Sequence, residues 1–169
     1  HPMAGSEQTG VTAACVDLFQ GAACVITNDF EHPENDVAAL RGFWEDLGCQ
    51  CFLTTSEDHD RVMARISHLP HILASVGSLV GLRNPDDGKF AGNGMRDTTR
   101  VASGHPGMWA EILMRNKAAL KQPIEETIGY LREMLAMLDD SSDEGVTRLL
   151  QDAKTLRDGL GARPQASDD

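Results

Sequence analysis

The stretch SEDHDRVMARISHLPHILASVGSLVGL, residues 56–82, decides the fold class of this chain. Its apolar residues recur every three or four positions, which is the spacing of one face of an α-helix. Ser56 is placed to cap the helix, and acidic residues follow in the first turn, where they favour the helix dipole. Pro70 has no backbone N–H to donate to the preceding turn. The pattern therefore predicts a long helix with a kink at this proline.

More helical patterns follow along the chain. The same apolar spacing returns in three later segments, residues 105–120, 123–138 and 141–160. Ser141 and Glu144 have the spacing of a capping box at the start of the last one. Residues 83–104 are rich in glycine and charge without periodicity, which predicts an irregular functional loop. We therefore predict an all-helical domain over residues 56–160, followed by a disordered polar tail, residues 161–169.

The chain before residue 56 has a different pattern. Residues 21–27 (GAACVIT) and 49–55 (CQCFLTT) are short, apolar and bounded by turn formers, as strands are. Residues 33–48 lie between them with helical spacing and end at Gly48. Strand, helix and strand with short links predict a parallel βαβ unit. Two strands alone do not make a stable sheet, so residues 1–55 are predicted to be the remnant of a larger α/β domain.

The composition excludes several classes of partner. The chain has 26 acidic and 15 basic side chains and a formal net charge of −11, so it should repel nucleic acid. No apolar run approaches the roughly 20 residues of a membrane span, and no signal peptide is expected. The four cysteines lack zinc-site spacing, so we predict reduced core thiols in a cytoplasmic protein without a metal.

Two clusters are candidates for chemistry. His68 and His71 are three residues apart and share one helix face, so they are either packed core histidines or part of a pocket. No acidic or cysteine residue near them has the spacing of a metal site. Arg96, Asp97 and Arg100 form either a solvated ion cluster or an anion clamp, because arginine binds carboxylates bidentately.

Two further signals are weaker when taken alone. The opening residues HPMAGS contain turn formers that could present His1 and Ser6 to a cleft. Trp109 lies near the start of a predicted helix, where tryptophan is usually a core residue.

Four segments together resemble one known family. They are HPMAGSEQTG (1–10), LFQGAACVIT (18–27), SEDHDRVMARISHLPHILA (56–74) and GMRDTTRVASGHPGMWAEILMRN (94–116). They resemble prephenate dehydrogenases, including the arogenate-using relatives, and SHLPH and RDTTRVASG are the most specific parts. The resemblance implies a Rossmann-like NAD(P)-binding domain followed by an all-helical domain that forms a homodimer and supplies part of the substrate pocket. Residues 1–55 would then be the trailing part of the first domain, and residues 56–160 the second.

The resemblance also implies roles for single residues. His1 is expected to be the catalytic group at the substrate hydroxyl, as general base or hydrogen-bond acceptor. The residues expected to bind substrate are Arg100, His71, His68, Ser6 and Trp109, the last of which the partner subunit could supply. Glu7 and Asp97 are expected to form an ionic network that shapes or gates the pocket.

The reaction implied by the resemblance is oxidative decarboxylation of prephenate to 4-hydroxyphenylpyruvate with NAD or NADP, with arogenate as the alternative substrate. The sequence contains no G-x-G-x-x-G turn, so we expect a fragment that does not bind the cofactor tightly and is inactive alone. Two alternatives stay open. One is a stand-alone dimerisation or ligand-binding module. The other is a different dehydrogenase with the same architecture, such as a pyrroline-carboxylate reductase, which would lack SHLPH and RDTTR.

Overall fold

The computed structural model describes residues 1–4, 10–11 and 14–161. Strand β1 (Ala23–Thr27), helix α1 (Glu34–Asp46) and strand β2 (Gln50–Thr54) come first. The helices that follow are α2 (Ser56–Met63), α3 (Leu69–Gly81), α4 (Asn93–Thr99), α5 (Pro106–Arg115), α6 (Lys117–Asp139) and α7 (Asp143–Asp158). The predicted fold class, a mainly helical chain with a small strand–helix–strand unit in front, is confirmed.

The strand–helix–strand unit has its own apolar core. β1 and β2 pair in parallel, as predicted, with Ile26 beside Leu53. Four residues form the buried cluster, Ala22, Cys24, Ile26 and Cys49, and Trp44 of α1 packs against it. All four cysteines are free thiols, but Cys15 is exposed, so the prediction that every cysteine lies in the core is wrong there.

The first residues of the chain extend this small sheet. The Val25 amide donates to the His1 carbonyl at 2.9 Å, and the Met3 amide donates to the Ala23 carbonyl at 2.6 Å. Pro2 thereby forms an antiparallel bridge with Cys24. His1 is consequently held at the edge of the sheet, beside β1.

The kink predicted at Pro70 is present as a change of helix type. Between α2 and α3 the backbone forms a π-helical turn, Ala64–His68, in which the Leu69 amide donates to the Ala64 carbonyl. This wider turn accommodates the proline that cannot donate. The cap is Thr55 and not Ser56 as predicted, because the Thr55 hydroxyl accepts from the Asp58 amide at 3.1 Å.

The segment predicted as an irregular loop, residues 83–104, is largely helical. It contains the 3₁₀ turn Pro85–Phe90, helix α4 and a second 3₁₀ turn, Arg100–Ser103, and both α4 and this second turn pack against α3. The Asn84 side chain accepts from the Asp86 amide and so starts the first turn. Elements of one or two turns have too few apolar positions to show periodicity, which explains the wrong prediction.

Two predicted helix boundaries also lie elsewhere. The predicted helix over residues 105–120 is interrupted at Asn116, between α5 and α6. Pro123, the predicted start of the next helix, is instead a buried residue inside α6. The last helix is capped by Ser142, whose hydroxyl accepts from the Gly145 amide at 3.2 Å. Ser141, the predicted cap, instead has a positive φ of 53°.

Many large apolar residues of the helical region face outward. On α6, Leu131 and Leu135 are 59% and 61% exposed, and Leu156 of α7 is 79% exposed. Leu150 and Leu160 are 56% and 68% exposed, so the apolar stripe that the spacing over residues 141–160 indicates is not buried within the single chain. Within the described part of the chain, no helix combines the length and apolar character needed to cross a membrane.

Candidate active site

A cleft of about 440 Å³ opens where the edge of the small sheet meets the helices. His1 reaches it from the sheet edge, and α2 and the π-helical turn contribute His59, Asp60 and His68. The far wall comes from α5 and the residue that follows it, including Glu111, Arg115 and Asn116. The cleft therefore collects three imidazoles from sequence positions that are up to 67 residues apart.

His1, His59 and Asp60 form a continuous chain of side chains along one wall. His1 Nδ1 and His59 Nε2 are 2.7 Å apart, and their ring centroids are 5.0 Å apart. The other nitrogen of His59, Nδ1, is 2.9 Å from a carboxylate oxygen of Asp60. A carboxylate, an imidazole and a second imidazole in series can orient the last ring and stabilise positive charge on it.

Asn116 ties the second group of residues together. Its Nδ2 donates to the Asp60 main-chain carbonyl at 2.8 Å and lies 3.1 Å from His68 Nδ1. Asn116 and His68 are only 7% and 8% exposed. Burial lowers the pKa of His68, and the positive charge that His59 can carry adds to this, while the Asp60 carboxylate opposes it. His68 is thus favoured in its neutral form.

His71 and Trp109 lie beside this cluster in face-to-face contact. Their rings stack at 3.6 Å with an interplanar angle of 12°, and the His68 ring meets the indole edge-on at 6.4 Å. A Cβ on Gly104 would overlap the indole, so glycine is required there. Trp109 makes these contacts within its own chain, whereas the resemblance allowed for a contribution from a partner subunit.

Among the described residues, His71 Nδ1 is the one buried polar side-chain atom that has no hydrogen-bond partner. His71 is 6% exposed, and burial lowers the pKa of its ring. A buried neutral imidazole with a free Nδ1 can still donate or accept one hydrogen bond, and an unpartnered buried polar atom is costly in the absence of a ligand.

The predicted site residues are brought together only in part. His1 and His68 line one cleft, and His71 and Trp109 adjoin it. Arg100 begins the 3₁₀ turn that packs on α3, and it is exposed. Arg100 is not among the residues that line the cleft. Asp97 is exposed on α4. Ser6 and Glu7 lie outside the described residues.

Three residues that join the hydrogen-bond network of the cleft are not among the predicted site residues, namely His59, Asp60 and Asn116. The segment SEDHD predicts only a helix start, and its local pattern carries no further signal for His59 or Asp60. Asn116 separates two helical runs that were predicted as continuous up to residue 120, and asparagine is a poor helix former. The break could have pointed to a side chain that is needed elsewhere.

The link from β1 to α1 does not fit the pyrophosphate of the cofactor that the resemblance implies. The link from β1 to α1, residues 28–33, contains no glycine and two acidic residues. Its polar groups have partners within the chain, since Asn28 pairs with His32 and Asp29 accepts from the Ser56 amide at 3.1 Å. Such a link offers no backbone cradle for a pyrophosphate. Across the same described residues, no group of three or more His, Cys, Asp or Glu side chains is arranged to hold a metal ion.

Comparison with protein families gives two matches that divide the chain. The prephenate dehydrogenase nucleotide-binding domain matches residues 1–53, and the prephenate dehydrogenase dimerization domain matches residues 55–152.

Individual proteins agree with these matches. The chain is 33% identical to the prephenate dehydrogenase of Bacillus subtilis over 99% of its length, and 33% identical to the cyclohexadienyl dehydrogenase of Zymomonas mobilis over 79%. These alignments cover 46% and 47% of the two relatives, so the chain spans about half their length.

Two solved structures share the fold. One is the prephenate dehydrogenase of Aquifex aeolicus in complex with hydroxyphenyl propionate and NAD+, with a TM-score of 0.83 and 29% identity. The other is the arogenate dehydrogenase of Synechocystis, with a TM-score of 0.78 and 29% identity. Each match covers 95% of this chain, and 58% and 60% of the respective structures.

Proposed function

We propose, because the chain belongs to the prephenate dehydrogenase family, that the protein containing it oxidatively decarboxylates prephenate with NAD or NADP in tyrosine biosynthesis. The observation that carries the proposal is the cleft in which His1 stands at the end of a hydrogen-bonded chain next to two buried neutral imidazoles. This is an arrangement for moving a proton and binding an anion, and not for packing alone.

The residues of the chain would divide the work between a base and anion-binding groups. His1 removes the proton from the ring hydroxyl of prephenate. The ring carbon that carries this hydroxyl loses a hydride, and the ring carboxylate leaves as carbon dioxide. A neutral imidazole suits this step because its ordinary pKa lies near 6.5. His68 and His71 offer hydrogen bonds to the substrate, Trp109 packs on His71, and Arg100 binds a carboxylate.

The nicotinamide cofactor, when bound, accepts the hydride. In our proposal its pyrophosphate is held by a part of the nucleotide-binding domain other than the link from β1 to α1, because that link provides no backbone cradle for it. Ser6 is proposed as a further substrate contact. Glu7 and Asp97 are proposed to form the ionic network that shapes or gates the pocket.

The helical region is proposed to form a homodimer in a cytoplasmic enzyme. The support for the dimer is the set of apolar side chains that the single chain leaves exposed on α3, α6 and α7. Large exposed apolar faces mark protein–protein contacts. A second chain also gives Arg100 a route to a cleft that it does not line within its own chain.

Two substitutions in a complete enzyme carrying this chain test the proposal. His1→Asn should lower kcat by about 10²–10⁴-fold, the usual contribution of a general base. Arg100→Ala should raise KM for prephenate by the equivalent of about 2–4 kcal/mol, because a charge-assisted hydrogen bond to a carboxylate is lost. Arg83→Ala, an exposed arginine outside the motif, is the control. Steady-state kinetics with unchanged KM for Arg100→Ala would remove the carboxylate assignment.

Arogenate is the second candidate substrate, favoured by the likeness to the arogenate dehydrogenase of Synechocystis. The two substrates differ in carrying a keto group or an amino group on the side chain. Comparing kcat/KM for both substrates, each with NAD and with NADP, decides between them.

A further inference from the structure

Asp60 is linked by separate routes to His1 and His68, two of the three imidazoles of the cleft. Its carboxylate reaches His1 through His59, and its main-chain carbonyl reaches His68 through Asn116. We propose that Asp60, His59 and Asn116 are positioning residues that fix His1 and His68 in opposite tautomers. His1 then keeps an unprotonated Nε2 and His68 keeps a protonated one, so the site is supplied with one acceptor and one donor.

The tautomer of His1 follows from the acid at the end of its chain. The Asp60 carboxylate can only accept, so His59 Nδ1, 2.9 Å away, must donate to it. In a neutral imidazole the other nitrogen is then an acceptor. His59 Nε2 therefore accepts from His1 Nδ1 at 2.7 Å, which must carry the proton. His1 Nε2 is left with its lone pair.

The tautomer of His68 follows from the main-chain carbonyl of Asp60. A carbonyl oxygen can only accept, so the Asn116 atom 2.8 Å from it must be the donor nitrogen and not the amide oxygen. The same amide nitrogen lies 3.1 Å from His68 Nδ1 and has a second proton to donate. His68 Nδ1 must accept, and its proton is on Nε2. Because both side chains are more than nine-tenths buried, water is poorly placed to replace either bond.

The other charged residues at the cleft, Glu111 and Arg115, do not alter the predicted tautomers of His1 and His68, because they pair with each other. They face each other at 3.7 Å. Opposite tautomers suit a substrate with one hydroxyl to deprotonate and a carboxylate to bind, because the first needs an acceptor and the second a donor. That use rests on the proposed function, whereas the tautomers themselves do not.

The tautomers can be measured directly on the chain without any assay of activity. Long-range ¹H–¹⁵N correlation spectra of histidine-labelled protein at about pH 8, above the ordinary histidine pKa near 6.5, distinguish the two ring nitrogens. We expect a protonated Nδ1 and an unprotonated Nε2 for His1 and His59, and the reverse for His68. A proton on Nε2 of His1, or on Nδ1 of His68, overturns the proposal.

Three variants assign the effect to the positioning residues. Asp60→Asn should give mixed tautomers at His59 and His1 and leave His68 unchanged, because an amide can donate as well as accept. Asn116→Leu should give mixed tautomers at His68 and leave those of His59 and His1 unchanged. Asp58→Asn removes a charge from the same helix, at a residue that pairs with Arg61 and Thr55, and should change no tautomer.

The variants also separate this inference from the proposed function. Single tautomers at His59 and His1 in Asp60→Asn contradict the inference, and if a variant fails to fold, the spectrum of the unsubstituted chain still decides. Absence of turnover on prephenate and arogenate by a complete enzyme carrying this chain would contradict the proposed function but would leave the spectra as expected.

Discussion

The strand–helix–strand unit and the helical region bury opposite kinds of side chain. The first encloses an entirely apolar cluster, Ala22, Cys24, Ile26 and Cys49. The second encloses His68, His71 and Asn116 beside a few small or apolar residues, and at the same time exposes Leu79, Val80 and Leu156 by more than 70% each.

This difference shows which region is built for packing and which for chemistry. Buried polar groups destabilise a fold unless they are hydrogen-bonded, and His71 keeps one nitrogen without a partner. The exposed apolar helix faces also indicate that the helical region is incomplete, because it gains stability when another surface covers them. The helical region is therefore proposed to be complete only with a second chain and a ligand, whereas the buried cluster of the α/β unit holds no polar side chain that a ligand would have to satisfy.

The largest effect is expected where the exposed apolar face is made polar. Leu131→Glu combined with Leu135→Glu should abolish the dimer. Covering a leucine side chain contributes about 1.5–3 kcal/mol, and four leucines are lost per dimer. Because Leu131 and Leu135 are 59% and 61% exposed in the single chain, only that fraction of the full value is lost, at least about 4 kcal/mol per dimer, which is a roughly thousandfold weaker dimerisation constant. Sedimentation equilibrium measures it.

Arg132→Glu is the control for this double variant, because it adds negative charge to the same helix at a residue that is already polar. It should leave the dimer intact. A protein that sediments as a monomer before any substitution would show that these faces are not covered by a second copy, and the comparison between the two regions would need another explanation.

The next effect is expected in the apolar cluster of the α/β unit. Ile26→Ala should destabilise that unit by about 3 kcal/mol, since it removes buried methylene groups and leaves a cavity. The chain has two tryptophans, and each reports on one region, Trp44 on the α/β cluster and Trp109 on the helices. Urea unfolding of Trp44→Phe and Trp109→Phe backgrounds therefore shows where the stability is lost.

Leu53→Ala is the matched control, because Leu53 is the register partner of Ile26 on β2 and is 65% exposed. It should cost under about 1 kcal/mol. Equal losses for the two variants would mean that burial in this unit is not what its stability depends on.

The sequence predicted those parts of the fold that depend on local pattern. The βαβ unit, the helix interrupted at Pro70 and the long amphipathic helices all follow from apolar spacing and from the chemistry of proline and glycine. His68 and His71 were singled out because they lie three apart on one helix face, which brings both against Trp109. Positions within one helix are fixed by its geometry.

The parts that sequence reasoning missed depend on contacts between distant segments. His1 meets His59 because the first residues pair with β1, and no local signal gives that pairing. Asn116 breaks a helix in order to reach the Asp60 carbonyl, 56 positions away. Periodicity shows that a helix has an apolar face and not what covers it, so the sequence did not show that the apolar faces of α6 and α7 lie outward.

The buried histidines make the stability of the helical region depend on pH. Burial lowers the pKa of His68 and of His71, so below the ordinary histidine pKa near 6.5 the unfolded chain binds more protons than the folded one. Stability is then full above about pH 6.5 and falls as the pH drops toward the lowered values, by at most about 1.4 kcal/mol per pH unit for each histidine. Urea unfolding followed through Trp109 measures the slope.

His32→Gln is the control for this slope, because His32 is exposed in the α/β unit. It should leave the slope unchanged, whereas His68→Gln should reduce it. A helical region equally stable at pH 5 and pH 7 would contradict the burial of both rings.

The smallest effect is expected at the turn that closes α1. Gly48 has a φ of +91°, and a Cβ there would overlap the Gln20 side chain. Gly48→Ala should therefore destabilise the α/β unit by about 1–2 kcal/mol, the range for an alanine forced into the left-handed region. Gly42→Ala, in the middle of α1 with no heavy atom within 4 Å of an added Cβ, should instead stabilise it by up to about 1 kcal/mol. The two alanines should therefore change the free energy of unfolding of the α/β unit in opposite directions, and urea unfolding monitored by Trp44 measures both. A loss of stability in both variants would indicate that the α/β unit, like the helical region, depends on a surface outside itself.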